Sequence, residues 1–246
     1  VSGDLWGPDV ARTYDEDSAG MFAREVLGPT VDVLADLAGT GRALEFAIGT
    51  GRVGLALAAR GVPVTGIELS PHMIAELRAK TAVGGPAVEV VQGDMATTRV
   101  DGEFSLVYLV FNTITNLLEQ DEQVECFVNA ARHLAPGGAF LVETFVPDLQ
   151  RLPPGDCARP FDVSPEHLGF DTYDLVACRL TSHHVRFLPG GTASRFLSHH
   201  RYAWPAELDL MARIAGLRLE SRWSGWDRSE FTAGARSHVS TWRGTR

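Results

Sequence analysis

Three carboxylates stand at the ends of three short, largely apolar runs: Glu45 within Ala43–Ile48, Glu68 near the close of Val62–Leu69, and Asp94 just after Ala87–Gly93. Between the first two lies the turn Gly49-Thr50-Gly51. Glycines between a buried strand and a helix N-terminus let backbone approach a ligand closely, and a carboxylate at the end of the following strand can accept both hydroxyls of a ribose. The chemistry these residues suit is the binding of a nucleoside. A second set, His183, His184, His199 and His200, lies far along the chain, where a general base could be delivered near neutral pH. His184 and His200 are the candidates for that role.

The elements that must position the carboxylates follow from the same stretch. Ala43–Ile48 has strand length and is apolar apart from Glu45, as strands buried on both faces of a parallel sheet are. Val53, Leu55, Ala56, Leu57 and Ala59 form a short helix closed by Gly61, and Val62–Leu69 is a second strand. Ser70 and Pro71 open the next helix as N-cap and first residue. Gly49 to Gly54 also satisfies GxGxxG, which by itself does not separate a dinucleotide fold from other nucleoside folds. Glu45 separates them. A pyrophosphate at the helix N-terminus would be repelled by a neighbouring carboxylate, whereas a cationic ligand would be attracted.

The string Glu45-Phe46-Ala47-Ile48-Gly49-Thr50-Gly51 resembles the first motif of the class I S-adenosylmethionine-dependent methyltransferases, with Ala47 where the motif has its first glycine. The segment Val10–Asp15, the helix opening that carries Met73, the Gly93-Asp94 pair and the string Leu134-Ala135-Pro136-Gly137-Gly138 are similar to that family too. The resemblance implies S-adenosyl-L-methionine as cofactor. It implies that Tyr14 closes over it, that Glu45, Ala47, Gly49 and Gly51 cradle it, and that Glu68 and Leu69 meet its ribose. Met73, Asp94 and Met95 then belong to the adenosine end, and Phe111 closes the fourth strand on the cofactor side. It also implies a Rossmann-like three-layer αβα sandwich: a seven-stranded sheet with an antiparallel last strand, an N-terminal helical cap and a β-hairpin insertion.

Within one methyltransferase domain over 1–246, the expected parts are a helical cap at 1–41, a cofactor-binding core at 42–146, an insertion over the active site at 147–204, and a closing helix and strands at 205–246. Two cap helices are expected to join near Gly28-Pro29, since proline suits a helix start. Residues 147 to 172, rich in Pro, Gly and Asp, read as loop. Asp174–Leu188 and Ala193–Trp204 read as a hairpin around Pro189-Gly190-Gly191-Thr192. Asn112, after the fourth strand, and Tyr202 and Trp204, on one face of the second hairpin run, are the candidate substrate residues. Placing a β-insertion over the active site is also a habit of the aminosugar N-methyltransferases, which the chain most resembles.

Composition narrows the partners. The chain has 246 residues, 45% of them hydrophobic, and a net charge of −9, which disfavours nucleic acid. Cys126, Cys157 and Cys178 are widely spaced and suggest reduced thiols, and no His/Asp cluster has metal-ligand spacing. No run reaches membrane-spanning length. The expectation is a cytoplasmic monomer or homodimer that methylates O, N or C of a small molecule in secondary metabolism. The competing readings are an NAD(P)-dependent oxidoreductase and a non-catalytic cofactor-binding protein.

Overall fold

Ala43–Phe46 (β1), all four residues buried, is the strand on which the chain order of the main sheet reverses. A computed structural model describes residues 6–244, so the outermost residues of the ranges 1–41 and 205–246 lie outside the described residues. Seven strands lie in the order β10-β11-β5-β4-β1-β2-β3. They are β1, Val64–Glu68 (β2), Glu89–Gln92 (β3), Phe104–Leu109 (β4), Leu134–Phe145 (β5), Leu217–Trp223 (β10) and Ser237–Gly244 (β11). β1 pairs in parallel with both β2 and β4, and β4 with β5, while β11 runs antiparallel to β5 and β10. In open sheets of this kind ligands bind beyond the carboxyl ends of the strands, at the point where the order reverses.

Two apolar clusters cover the sheet, one on each face. On one side Phe127 of Gln120–His133 (α5) and Met211 of Pro205–Ile214 (α6) pack with Phe140 and Trp242. On the other, Leu34 of Arg24–Ala38 (α2) and Leu57 of Arg52–Ala58 (α3) pack with Tyr108 and Leu141. Pro71–Ala82 (α4) starts as expected, with Ser70 accepting the Met73 N–H at 3.3 Å and Pro71 in the first turn. The first two strands fall within the runs Ala43–Ile48 and Val62–Leu69 read from the sequence. β5 already begins at Leu134, and Pro136-Gly137-Gly138 is a bulged section within it, Gly137 having φ 76°.

The N-terminal layer departs from expectation. Pro8–Asp17 (α1) is one helix, and Gly28-Pro29 lies inside α2 rather than at a junction. Pro29 falls near the start of α2, where its missing N–H removes one bond, to the carbonyl of exposed Glu25, which water can satisfy.

The insertion is larger than a hairpin. Ala158–Val163 (β6), His167–Asp174 (β7), Arg179–Phe187 (β8) and Ala193–Arg201 (β9) form a separate four-stranded antiparallel sheet, so much of 147–172 is strand and not loop. Its last strand is anchored to the core by buried polar groups. Gln123 of α5 donates to the carbonyls of Ile114, Leu117 and Arg201 at 3.1, 3.2 and 3.0 Å and accepts from the Arg201 guanidinium at 2.6 Å, which also pairs with Glu207 at 2.7 Å.

Candidate functional site

Beyond the carboxyl ends of the parallel strands lies a cavity of about 610 Å³, floored by the sheet, flanked by α1 and roofed by the insertion sheet. Tyr14, Ala47, Gly49, Glu68, Leu69 and Met73 line it, and so do Asp94, Met95, Phe111 and Asn112. His184 and His200 face it from the roof. The sequence thus brings twelve of its candidates to one place; Glu45, Gly51, Tyr202 and Trp204 are not among the lining residues.

Each wall is fixed by local chemistry. Glu68 is buried at the end of β2, with Oε2 accepting the Gly49 N–H at 2.9 Å and Oε1 the Ser70 N–H at 2.8 Å. A carboxylate oxygen has a second lone pair, so both oxygens keep acceptor capacity. Burial raises the Glu68 carboxyl above the ordinary range, against the pull of the main-chain donors. Gly49, at φ 60°, has open space where a Cβ would stand, so backbone there can meet a ligand closely. Asp94 Oδ1 accepts the Ala96 N–H at 2.8 Å, which caps the turn after β3.

Three non-glycine residues at the cavity wall, Ala47, Phe111 and Asn112, have φ between 51° and 61°. Such conformations cost of the order of 1 kcal/mol or more each and cluster at functional sites. The one at Asn112 is held by its side chain, whose Oδ1 accepts the Phe145 N–H at 2.8 Å, and by its own N–H on the Glu143 carbonyl at 3.2 Å.

Helix α1 is latched across the opening. Asp15 accepts from Thr50 Oγ1 at 2.6 Å and pairs with Lys80, whose Nζ also donates to the Thr50 carbonyl at 2.8 Å. Ser70 Oγ donates to the Trp6 carbonyl at 2.7 Å, and the Trp6 and Tyr14 rings meet edge to face at 5.8 Å. Burial holds the Tyr14 phenol above its usual pKa, so it presents a neutral hydroxyl.

Glu45 sits apart from the cavity. It is 4% exposed, its Oε2 accepts the Tyr108 hydroxyl at 3.0 Å, and burial pushes its pKa to about 8. The same oxygen lies 2.6 Å from where a Gly54 Cβ would stand, and Ile48 Cδ1 lies at 2.7 Å. Gly54 is therefore a packing glycine that lets α3 settle on β1. Gly54→Ala is expected to cost about 1–3 kcal/mol through overpacking, read as a lowered denaturation midpoint; an unchanged midpoint would contradict this contact.

Tyr202 and Trp204 miss the cavity for a simple reason. Strand β9 ends at Arg201, so the two-residue alternation stops there, and Trp204 is already the N-cap of α6. Tyr202 is buried, while Trp204 borders a different hollow beside Phe231 and Arg236.

Glu143 was not singled out from the sequence. At the end of β5 its carboxyl accepts the Phe111 N–H and is raised by burial. The available signal was the one that marked Glu45, a lone acid in an apolar strand. Arg52 stands with its guanidinium 5.3 Å over the Phe111 ring and favours the charged forms of Glu45 and Glu143.

The two roof histidines differ. Thr115 Oγ1 donates to the Asn112 carbonyl at 2.8 Å, so the 3.1 Å contact with His200 Nδ1 has the ring as donor. His200 Nε2 then accepts from Ser198 Oγ at 3.0 Å, and burial lowers its pKa to about 4. Both of its nitrogens are engaged. Among the described residues no group of three His, Cys, Asp or Glu side chains is arranged to hold a metal ion.

Comparison with known proteins gives concordant results. The family model described as a methyltransferase domain matches residues 43–138. Cypemycin N-terminal methyltransferase from a Streptomyces species is 30% identical over 197 residues, 78% of this chain and 79% of that protein. The solved structure of the CcbJ methyltransferase from Streptomyces caelestis has 35% identity and a TM-score of 0.87, covering 100% of both chains. CalS10, an amino pentose methyltransferase from Micromonospora echinaspora, shares the fold at 22% identity, with a TM-score of 0.69 over 92% of this chain and 95% of that one.

Proposed function

Because the chain belongs to the class I S-adenosylmethionine-dependent methyltransferases, we propose that it methylates an amine nitrogen of a small secondary metabolite, acting as a cytoplasmic monomer or homodimer. The observation that carries the choice of nitrogen is the cavity roof, where His184 lines the cavity and burial favours its uncharged form. A protonated amine must shed a proton before its nitrogen has a lone pair, and a neutral imidazole can take it. Cypemycin N-terminal methyltransferase, named for a chain terminus, and the amino pentose methyltransferase, named for an amine-bearing sugar, support the same reading.

The residues present suit the cofactor. The buried Glu68 carboxylate has acceptor capacity left for a ribose, Gly49 offers an open backbone, and Asp94 lies on the same wall. Met73, Leu69 and Met95 give that end an apolar lining, as adenosine requires. When bound, S-adenosylmethionine supplies an activated methyl group on a sulfonium. The chain's share is alignment and exclusion of water, which the α1 latch and the insertion roof are built to give. Among the described residues no helix is long and apolar enough to cross a membrane.

Calorimetric titration with S-adenosylmethionine, S-adenosylhomocysteine and NAD, followed by an acceptor screen of aminosugars, amino-terminal peptides and phenols, tests the reading. Binding of the first two without NAD, and a methylated amine product, are expected. A product methylated only on oxygen would overturn the nitrogen assignment.

A further inference from the structure

His184 does not stand alone on the roof. Its Nδ1 lies 3.1 Å from Nε2 of His167, whose Nδ1 lies 2.6 Å from Oδ2 of Asp162. The two imidazole planes differ by 15° and their centres are 5.2 Å apart. That separation is close to the N···N distance plus one ring radius at each end, so the near-parallel rings meet edge to edge at these nitrogens and not face to face. A lone pair on one then meets an N–H on the other.

We propose that Asp162, His167 and His184 form a proton relay in which His184 is the base at the acceptor nitrogen and the other two are positioning residues. This rests on the reading of the chain as an amine methyltransferase. The tautomers follow from the end of the chain. The Asp162 carboxylate accepts and so fixes the His167 proton on Nδ1. His167 Nε2 must then accept from His184 Nδ1–H, leaving His184 Nε2 with its lone pair for the cavity that His184 lines. His200, with both nitrogens occupied by Thr115 and Ser198, has no such lone pair to offer.

The step balances. An N–H bond of the acceptor ammonium breaks, its electron pair stays on nitrogen, and the proton binds His184 Nε2. The Nδ1 proton of His184 moves to Nε2 of His167, and the positive charge comes to rest beside the Asp162 carboxylate. Asp162 is 43% exposed and His167 20%, so the proton can pass from there to solvent. Burial is what holds His184 below its usual pKa, and its neighbours pull both ways: His167, Arg186 and His183 favour the neutral form and Asp171 the charged one. From β9 His200 faces it as a neutral ring, and from α1 Asp17 lies 3.7 Å from Arg186.

The sheet is shaped for this chain of rings. A bulge between Pro160 and Asp162 sets both Phe161 and Asp162 opposite β7, and the residue in register with His184 is Gly169. A Cβ on Gly169 would stand 2.2 Å from the Phe161 ring, which lies 5.2 Å from His184 with Phe196 at 5.9 Å on its other side. The glycine thus makes room for an aromatic sleeve around the base.

Long-range ¹H–¹⁵N spectra of ¹⁵N-histidine-labelled full-length protein, without any acceptor, test the geometry. His184 is expected to be protonated at Nδ1 in the wild type and to move towards the Nε2–H form in Asp162→Ala and His167→Phe. An Nε2–H His184 in the wild type, or no change in both variants, would overturn the relay. With an amine the wild type methylates, His184→Gln and Asp162→Ala are expected to lower kcat about 100-fold at little change in KM. The loss should shrink as rising pH supplies free amine. Full kcat in both variants overturns the relay and leaves the methyl-transfer reading standing. No methylated amine from the wild type, with the Nδ1–H tautomer intact, overturns the acceptor reading instead.

Discussion

Glu68→Ala is expected to weaken binding of S-adenosylmethionine by about 100-fold or more, since hydrogen bonds to a charged group contribute about 1.5–3 kcal/mol each. The loss has two sources. One is the acceptor capacity that a ribose would use. The other is the turn itself, because the same carboxylate holds the N–H groups of Gly49 and Ser70, one on each oxygen. Ser70 is also the N-cap of α4 and the latch to the Trp6 carbonyl, so slackening Glu68 loosens three walls together. Glutamine should not rescue it, for one end of its amide would turn an NH₂ towards a main-chain N–H. Asp94→Ala should cost less, about 10-fold, because on the protein side its carboxylate caps a single turn. Calorimetry against S-adenosylhomocysteine, with melting curves to confirm folding, reads both; wild-type affinity in Glu68→Ala would remove this residue from the site.

What the sequence made legible was local. The glycine turn, the acids Glu68 and Asp94 after their strands and the Ser70-Pro71 helix start each depend on neighbours a few residues away, and Gly49, Glu68, Asp94 and Met73 of these stretches line one cavity. What escaped depends on distance. Glu143 reaches Phe111 only because β4 and β5 pair, and Asp162, His167 and His184 meet only across three antiparallel strands. β6 and β7 carry no clean alternation. They lie on the side of the insertion sheet away from the cavity, to which only β8 and β9 of that sheet contribute residues, and β6 is a mostly exposed edge strand, so apolar periodicity, the usual signal of a half-buried strand, has little to report. Tyr202 and Trp204 lie off the cavity for the converse reason, a period extended past the last paired residue of β9.

Glu45 shows how a residue can be singled out while its surroundings are missed. Its sign argument placed it beside the ligand, yet the carboxyl lies under Gly54, bonded to Tyr108 and raised to about 8, chiefly by burial. With its unfolded pKa at 4.5, the folded chain holds at this residue, between about pH 4.5 and about pH 8, a proton that the unfolded chain has released. Unfolding in that window therefore releases a proton, and the residue's contribution to stability falls as pH rises through it, becoming flat above the folded pKa. The loss across the window is of the order of a few kcal/mol. Glu68 and Glu143 are raised in the same direction and add to the slope of the whole protein, so the wild-type curve alone does not assign it. Glu45→Gln keeps the shape and an acceptor for Tyr108 while removing the titration. Its denaturation midpoint should move little near about pH 5 and rise above the wild type towards about pH 8. Parallel midpoints for the two proteins across that range would mean that Glu45 does not titrate there. A ligand carrying positive charge favours the ionised carboxylate, so binding of S-adenosylmethionine at neutral pH should release part of that proton. Calorimetry in buffers of different ionisation enthalpy would detect the release in the wild type, and its Glu45 component should be missing from Glu45→Gln.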